Sequence, residues 1–191
     1  MSKLKLIADS GGGSVSLKGP ATTTANADLE FTVPDSATGG IIRTTTTPGA
    51  ILQVVEGTTD NRVEITSGTG SWVDTNLSCS ITPSATSSKV LVLVNGTLFT
   101  GATSSAAATV YRGGTGGTNI GNATRGLYSA ANGIEGVMGC NMIKLDSPST
   151  TSATEYLVKI MRVWAGAGGD TKFPSGNGDE IASIVLMEIA G

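Results

Sequence analysis

The chain has 191 residues, a net charge of −3, no histidine, and only 14% charged and 4% aromatic residues. Without histidine, Ser-His-Asp and Cys-His catalysis are excluded, and the commonest zinc ligand is missing. The mildly acidic balance, with no basic cluster, speaks against strong nucleic-acid binding.

The length suits one ordinary domain, alone or with a small accessory piece. At 39% apolar residues and a mean hydropathy of +0.13, the chain is too hydrophobic and too weakly charged for disorder. Gly, Ser and Thr dominate the composition, which favours strands and turns over helices. The core therefore has to come from Val, Ile, Leu, Met and Ala. A surface so thin in charge is poorly soluble alone. Burying part of it between identical subunits would resolve this, and a homotrimer is expected.

In chain order, the opening MSKLKLIADSGGGS holds only a short apolar stretch. No secretory leader is expected from it, and folding is expected in a cytoplasm. Short strands are predicted at Leu4 to Ala8, Val15 to Lys18 and Leu29 to Val33, the last with Leu29, Phe31 and Val33 on one face. Such strands cannot build a core alone. Residues 1–48 are therefore read as an N-terminal arm whose strands pair with neighbouring copies of the chain or with a partner surface. TTTTP at Thr44 to Pro48 reads as a linker, with Pro48-Gly49 as the boundary turn.

From residue 49 to 191 the strands lengthen. They are predicted at Ile51 to Glu56, Arg62 to Thr66, Trp72 to Ile81, Val90 to Thr100 and Ala107 to Tyr111. Further strands are predicted at Arg125 to Tyr128, Val137 to Leu145, Glu155 to Ala165 and Ile181 to Ile189. Turn residues separate them at intervals typical of a sandwich or jelly roll. EYLVKIMRVW is read as a strand buried on both faces rather than as a helix. The last strand, apolar on both faces, is placed mid-sheet. Ile184, Leu186 and Glu188 are expected to face the opposing sheet. Val185, Met187 and Ile189 are expected to face a neighbouring subunit of the trimer. Glu188 is expected near an interface edge, with a basic or hydroxyl partner.

No chemical motif stands out. GGTGGTNIG at Gly113 to Gly121 lacks the Lys-Ser/Thr and following helix of a phosphate loop and reads as a hairpin turn. Asp179 and Glu180 are adjacent and, in a strand, would point to opposite faces. Asp60 reads as a turn cap or a cation ligand. Cys79 and Cys140 read as small buried apolar residues, with a disulfide or metal site as the alternative. Trp72 and Trp164 are weighed mainly as core. Trp72, Arg112 and Arg125 are the candidate contacts for a glycan, with a solvated or inter-subunit ion pair as the favoured role of both arginines. No catalytic residue, metal site or cofactor is predicted.

Three stretches carry a resemblance. The opening LKLIADSGGGSVSLKGP with DLEFTVPD looks like the start of tail-fibre and other appendage proteins of marine tailed phages, especially cyanophages. SWVDTNLSCSITPSATSSKVLVLVNGTLF, ATVYRGGTGGTNIG and ASIVLMEIAG resemble their C-terminal domain. The resemblance implies a non-enzymatic virion structural protein with a trimeric jelly-roll head on the virion surface. The chain has no repetitive shaft, so a short fibre or spike and a capsid decoration protein are both implied. A glycan-binding receptor module is the alternative, and a depolymerase the third reading.

Overall fold

The structure is a computed structural model and describes residues 3–7, 14–18, 48–102, 104–130, 135–165, 169–176 and 178–191. The chain forms two compact units, residues 1–44 and 45–191. The described part of the first unit is one antiparallel hairpin, β1 (Lys3–Ile7) with β2 (Ser14–Lys18), in the register Lys3 to Lys18. The strand predicted at Leu29 to Val33 lies outside the described residues.

The second unit is all-β, with no helix among the described residues. Its strands are β3 (Ile51–Thr59), β4 (Val63–Ile65), β5 (Trp72–Ile81), β6 (Lys89–Asn95), β7 (Thr97–Thr100) and β8 (Ser104–Arg112). There follow β9 (Thr118–Asn119), β10 (Tyr128–Ser129), β11 (Gly136–Gly139), β12 (Met142–Asp146), β13 (Thr154–Ala165), β14 (Thr171–Phe173) and β15 (Ala182–Ile189). One sheet runs β12-β6-β15-β3, a second runs β11-β7-β14-β4, and a third runs β10-β8-β13-β5 with β9 paired to β8.

The first two sheets share their chain segments. β3 continues into β4, β6 into β7, β11 into β12 and β14 into β15, in the same lateral order in both sheets. They are the two halves of one bent layer. The bend falls at Asn95-Gly96 opposite Cys140-Asn141, where the Cys140 N–H donates to the Gly96 carbonyl at 2.7 Å. A side chain at Gly96 would meet the Phe173 ring at 2.9 Å, so the bend requires glycine there.

Counting each continued pair once gives strands one to eight in the order 6-3-8-1 in the bent layer and 5-4-7-2 in the layer of β10, β8, β13 and β5. Successive strands alternate between layers except for the β8–β10 hairpin. This is the double Greek key of a jelly roll. The fold assignment rests on strand order alone. The predicted strand at the C-terminus indeed lies mid-sheet, since β15 pairs with both β6 and β3.

Alternation explains the core. Val90, Val92 and Val94 of β6, Ile184 and Leu186 of β15, and Leu77 and Ile81 of β5 are buried. They pack with Ala106, Ala108 and Val110 of β8 and Tyr156, Val158 and Ile160 of β13 in one cluster. Small residues on β8 admit the large Tyr156 and Ile160 beside them.

Several expectations need correcting. Val90 to Thr100 and Val137 to Leu145 are each two strands, broken at the bend. Arg125 to Leu127 is a turn, because the Asn122 side-chain oxygen accepts from the Thr124 and Arg125 N–H groups at 2.9 and 3.1 Å. The Gly-rich hairpin contains β9, and β14 was missed. Asp179 and Glu180 lie in a loop, not a strand. Neither tryptophan is core: Trp72 is half-buried, and Trp164 is 51% exposed beyond the register shift after Arg162. Cys140 is buried and Cys79 half-buried, and both are free thiols. Burial pushes the Cys140 thiol up to about 12, so it stays protonated.

Candidate functional site

The outer face of β12-β6-β15-β3 is the candidate site. Register places Leu145, Leu91, Met187 and Val54 in one row across the four strands. Ile143, Leu93, Val185 and Glu56 form the next row, and Lys89, Ile189 and Ile51 the row on the other side. Ile51, Val54, Ile143 and Leu145 are exposed at 45%, 54%, 69% and 48%, and Leu91, Leu93, Val185, Met187 and Ile189 are half-buried. A sheet face turned to water normally alternates to polar residues. Here both faces of β6 and β15 are apolar, and an apolar patch of this kind marks an interaction surface.

At one end of this face lies a shallow groove of about 240 Å³, lined by Leu93, Asn95, Asn141, Ile143, Ser183 and Val185 among others. Asn95 closes it by donating from its side-chain amide to Asn141 at 2.8 Å.

The predicted interface residues Val185, Met187 and Ile189 thus share the outward face. Glu188 has the hydroxyl partner expected of it, Ser84, but not at the rim of the outer face. It is 1% exposed on the inward face, where it accepts from the Ser84 N–H at 2.7 Å, the Ser84 hydroxyl at 2.6 Å and the Gln53 amide at 2.6 Å. Burial pushes its pKa up, but the hydrogen bonds from Ser84 and Gln53 outweigh this and bring it to about 2. A depressed folded-state pKa gives stability that is present above the unfolded value, near 4.5, and lost as pH falls toward about 2. Glu188→Gln should therefore flatten the fall in melting temperature between about pH 4.5 and pH 2. Thermal melts at both pH values, showing the same slope in variant and parent, would refute this.

The three candidate glycan contacts do not come together. Arg112 donates from Nη1 to both carboxylate oxygens of Asp146 at 2.9 Å and to the Ser147 carbonyl at 3.2 Å. Tyr156 donates its hydroxyl to Asp146 at 2.8 Å. Arg112 thus bridges the two layers within one chain, which corrects its expected role as a solvated or inter-subunit ion pair.

Trp72 and Arg125 do lie near each other. The loop that carries Arg125 crosses Trp72, whose indole N–H points to the Ala123 carbonyl at 3.4 Å. A side chain at Gly126 would meet the Trp72 ring at 2.8 Å. Tyr111 meets Trp72 edge-on at 6.5 Å. Beside them Lys159, 5% exposed, pairs with Asp74 at 2.6 Å, donates to the Thr115 carbonyl at 2.6 Å and lies 4.2 Å from the Tyr111 ring centre. The Trp72 indole N–H and the Lys159 ammonium thus have partners within the chain, and Arg125 is exposed. The group fastens the Gly-rich hairpin to β5 and β13.

Among the described residues no cluster of three or more Cys, Asp or Glu is arranged to hold a metal ion. Among the described residues no helix is long and apolar enough to cross a membrane.

No protein-family model matches the chain, and no curated protein matches it in sequence. Among solved structures, the chain is similar to the infectious bursal disease virus Gx strain structure, at TM-score 0.39 and 15% identity over 88% of this chain and 45% of that one. The VP2 subviral particle of the same virus gives TM-score 0.37 and 15% identity over 88% and 46%. Its T13 particle gives 0.36 and 15% over 94% and 42%. The chain spans less than half the length of each of these proteins.

Proposed function

We propose that the chain is a non-enzymatic virion structural protein of a tailed phage, either a short trimeric fibre or spike or a capsid decoration protein. The observation that carries this reading is the outer face of β12-β6-β15-β3, where an apolar surface is left uncovered by the chain's own layers. Burial of such a face between copies gives a structural protein its assembly energy. The jelly roll suits the role, since it recurs in viral capsid domains. The sequence resemblance to phage appendage proteins supplies the phage context. In this reading residues 1–48 dock on the particle or on neighbouring arms, and the jelly roll of residues 49–191 projects as a knob.

The expected solution state is a homotrimer. Light scattering on the purified chain should return three times the 19.1 kDa chain mass. A stable monomer at micromolar concentration would contradict it.

A further inference from the structure

We propose that the end of the sandwich interior between β13 and β14 holds a small monovalent anion of the halide class, chloride in ordinary salt, as the counter-ion of Arg162. This site is separate from the outer apolar face and does not depend on the virion reading.

Arg162 carries the inference. It stands opposite Ala106 of β8, a core residue, so it shares the inward face of β13 with Tyr156, Val158 and Ile160. Only 6% of it is exposed. A charge buried among apolar side chains needs a partner of opposite sign, because its surroundings cannot solvate it. Arg112, Lys159 and Lys172 have such partners in Asp146, Asp74 and Asp170. Lys89, Arg125 and Lys144 are exposed to water. Arg162 has neither solution: no carboxylate among the described residues forms an ion pair with it. The residues of the second unit outside the described ones contain no Asp or Glu. Its Nη1 donates to the Thr66 carbonyl at 2.9 Å, and a carbonyl does not neutralise a guanidinium.

Unpartnered buried atoms mark the place. Among the described residues these side-chain atoms are Ser88 Oγ, Arg162 Nε and Thr171 Oγ1. Ser88 precedes β6 at the far end of the layers, near Glu188. The other two lie at the same end. Thr171 is fully buried on β14, between Thr100 of β7 and Ile65 of β4. The Asp170 carbonyl just before it accepts from the Ser104 hydroxyl at 3.2 Å. Ser104 begins β8, two residues from the Ala106 that stands opposite Arg162. β14 lies against both β13 and β8. An N–H and a hydroxyl, both able to donate, thus face one end of the interior beside an uncompensated positive charge.

These groups select the ligand. A bridging water satisfies both hydrogen bonds but leaves the charge of Arg162 in place. A monatomic monovalent anion does both. A phosphate or sulfate dianion exceeds the single charge and brings more acceptor oxygens than these donors can serve. Thr66, whose carbonyl holds the guanidinium, is exposed, so the site lies just under the surface and an ion can exchange with solvent.

Thermal melts of the full chain in potassium chloride and in potassium gluconate, at equal ionic strength, test this. Gluconate is too large for so closed a site. Each tenfold rise in chloride above its Kd should raise the melting temperature of the parent by about 4 °C. Arg162→Met keeps an unbranched apolar stem without the charge and should melt alike in the two salts. Chlorine NMR of the parent needs no Arg162 variant: the line of free chloride should broaden when protein is added. It should broaden less with Thr171→Val, which keeps the shape and removes the hydroxyl. Parent melts that coincide in the two salts, or a line that does not broaden, would overturn the site; a carboxylate of the first unit or of another copy on Arg162 would give that result. A chloride effect that persists in Arg162→Met would overturn the assignment to Arg162. Equal broadening by Thr171→Val and parent would overturn the hydroxyl as a ligand.

Discussion

Gly57→Ala should lower the melting temperature by about 10 °C, and Gly57→Val should leave no soluble folded protein. Gly57 lies in β3, paired to Ile184 of β15. Across the sandwich its backbone rests on β5: a Cβ built there would stand 2.2 Å from the Ser78 carbonyl oxygen and 3.2 Å from the Cys79 Cβ. Ser78 cannot withdraw, because it is laddered to Leu157 of β13. The clash is thus with backbone rather than with a side chain that can turn aside. Overpacking costs about 1–3 kcal/mol and occasionally more, and a backbone collision belongs at the upper end. At about 3 °C per kcal/mol for a chain of this size, the alanine variant loses about 10 °C. The two further methyl groups of valine raise the cost toward the whole stability of an ordinary domain, about 5–15 kcal/mol. Calorimetry that finds the alanine variant melting with the parent would show that β3 and β5 do not approach this closely.

Arg112→Ala should cost about 3 kcal/mol, the lower end of what breaking a buried pair costs. The Asp146 side chain is 10% exposed and the Arg112 side chain 28%, so water softens the loss. Without the guanidinium, the Asp146 carboxylate keeps the Tyr156 hydroxyl as its one strong side-chain donor among the described residues. Asp146→Asn in the Arg112→Ala background removes the stranded charge and should recover part of the loss. Tyr156→Phe alone should cost about 1 kcal/mol, the net worth of one hydrogen bond. Urea unfolding of these three variants and of Asp146→Asn alone measures the coupling directly. Additive effects of Arg112→Ala and Asp146→Asn would mean that the pair does not join the layers.

Much of this fold was legible in the sequence because alternation and turn chemistry agree along most of the second unit. Trp72–Ile81 has the predicted limits, since Gly70-Ser71 and Thr82-Pro83 punctuate it. What escaped was set by tertiary contacts. β14 is three residues between a Gly-rich stretch and a proline, and pairing to β4 and β7 makes it a strand. Trp164 reads as core by alternation, but the shift in register beyond Arg162 turns the strand end outward. Glu188 looked like a rim residue because no local signal shows that Ser84 and Gln53 wait for it inside.

The candidate face was half legible. Apolar residues on both faces of β15 marked Val185, Met187 and Ile189. The contributions of Leu91, Leu93, Ile143, Leu145 and Val54 needed the register. The signal was nonetheless present in KVLVLV, where both alternating sets are apolar. Arg112 could not be separated from Arg125 by sequence. Both flank the glycine loop, and only the pairing of Tyr156 with Arg112 shows which of them meets Asp146.

Imaging of purified phage particles with a gold-labelled antibody against the jelly roll of residues 49–191 tests the virion reading most directly. The account predicts label at discrete, symmetry-related positions on the particle surface, on the tail or on the head. Unlabelled particles from infected cells that contain the chain in abundance would contradict it.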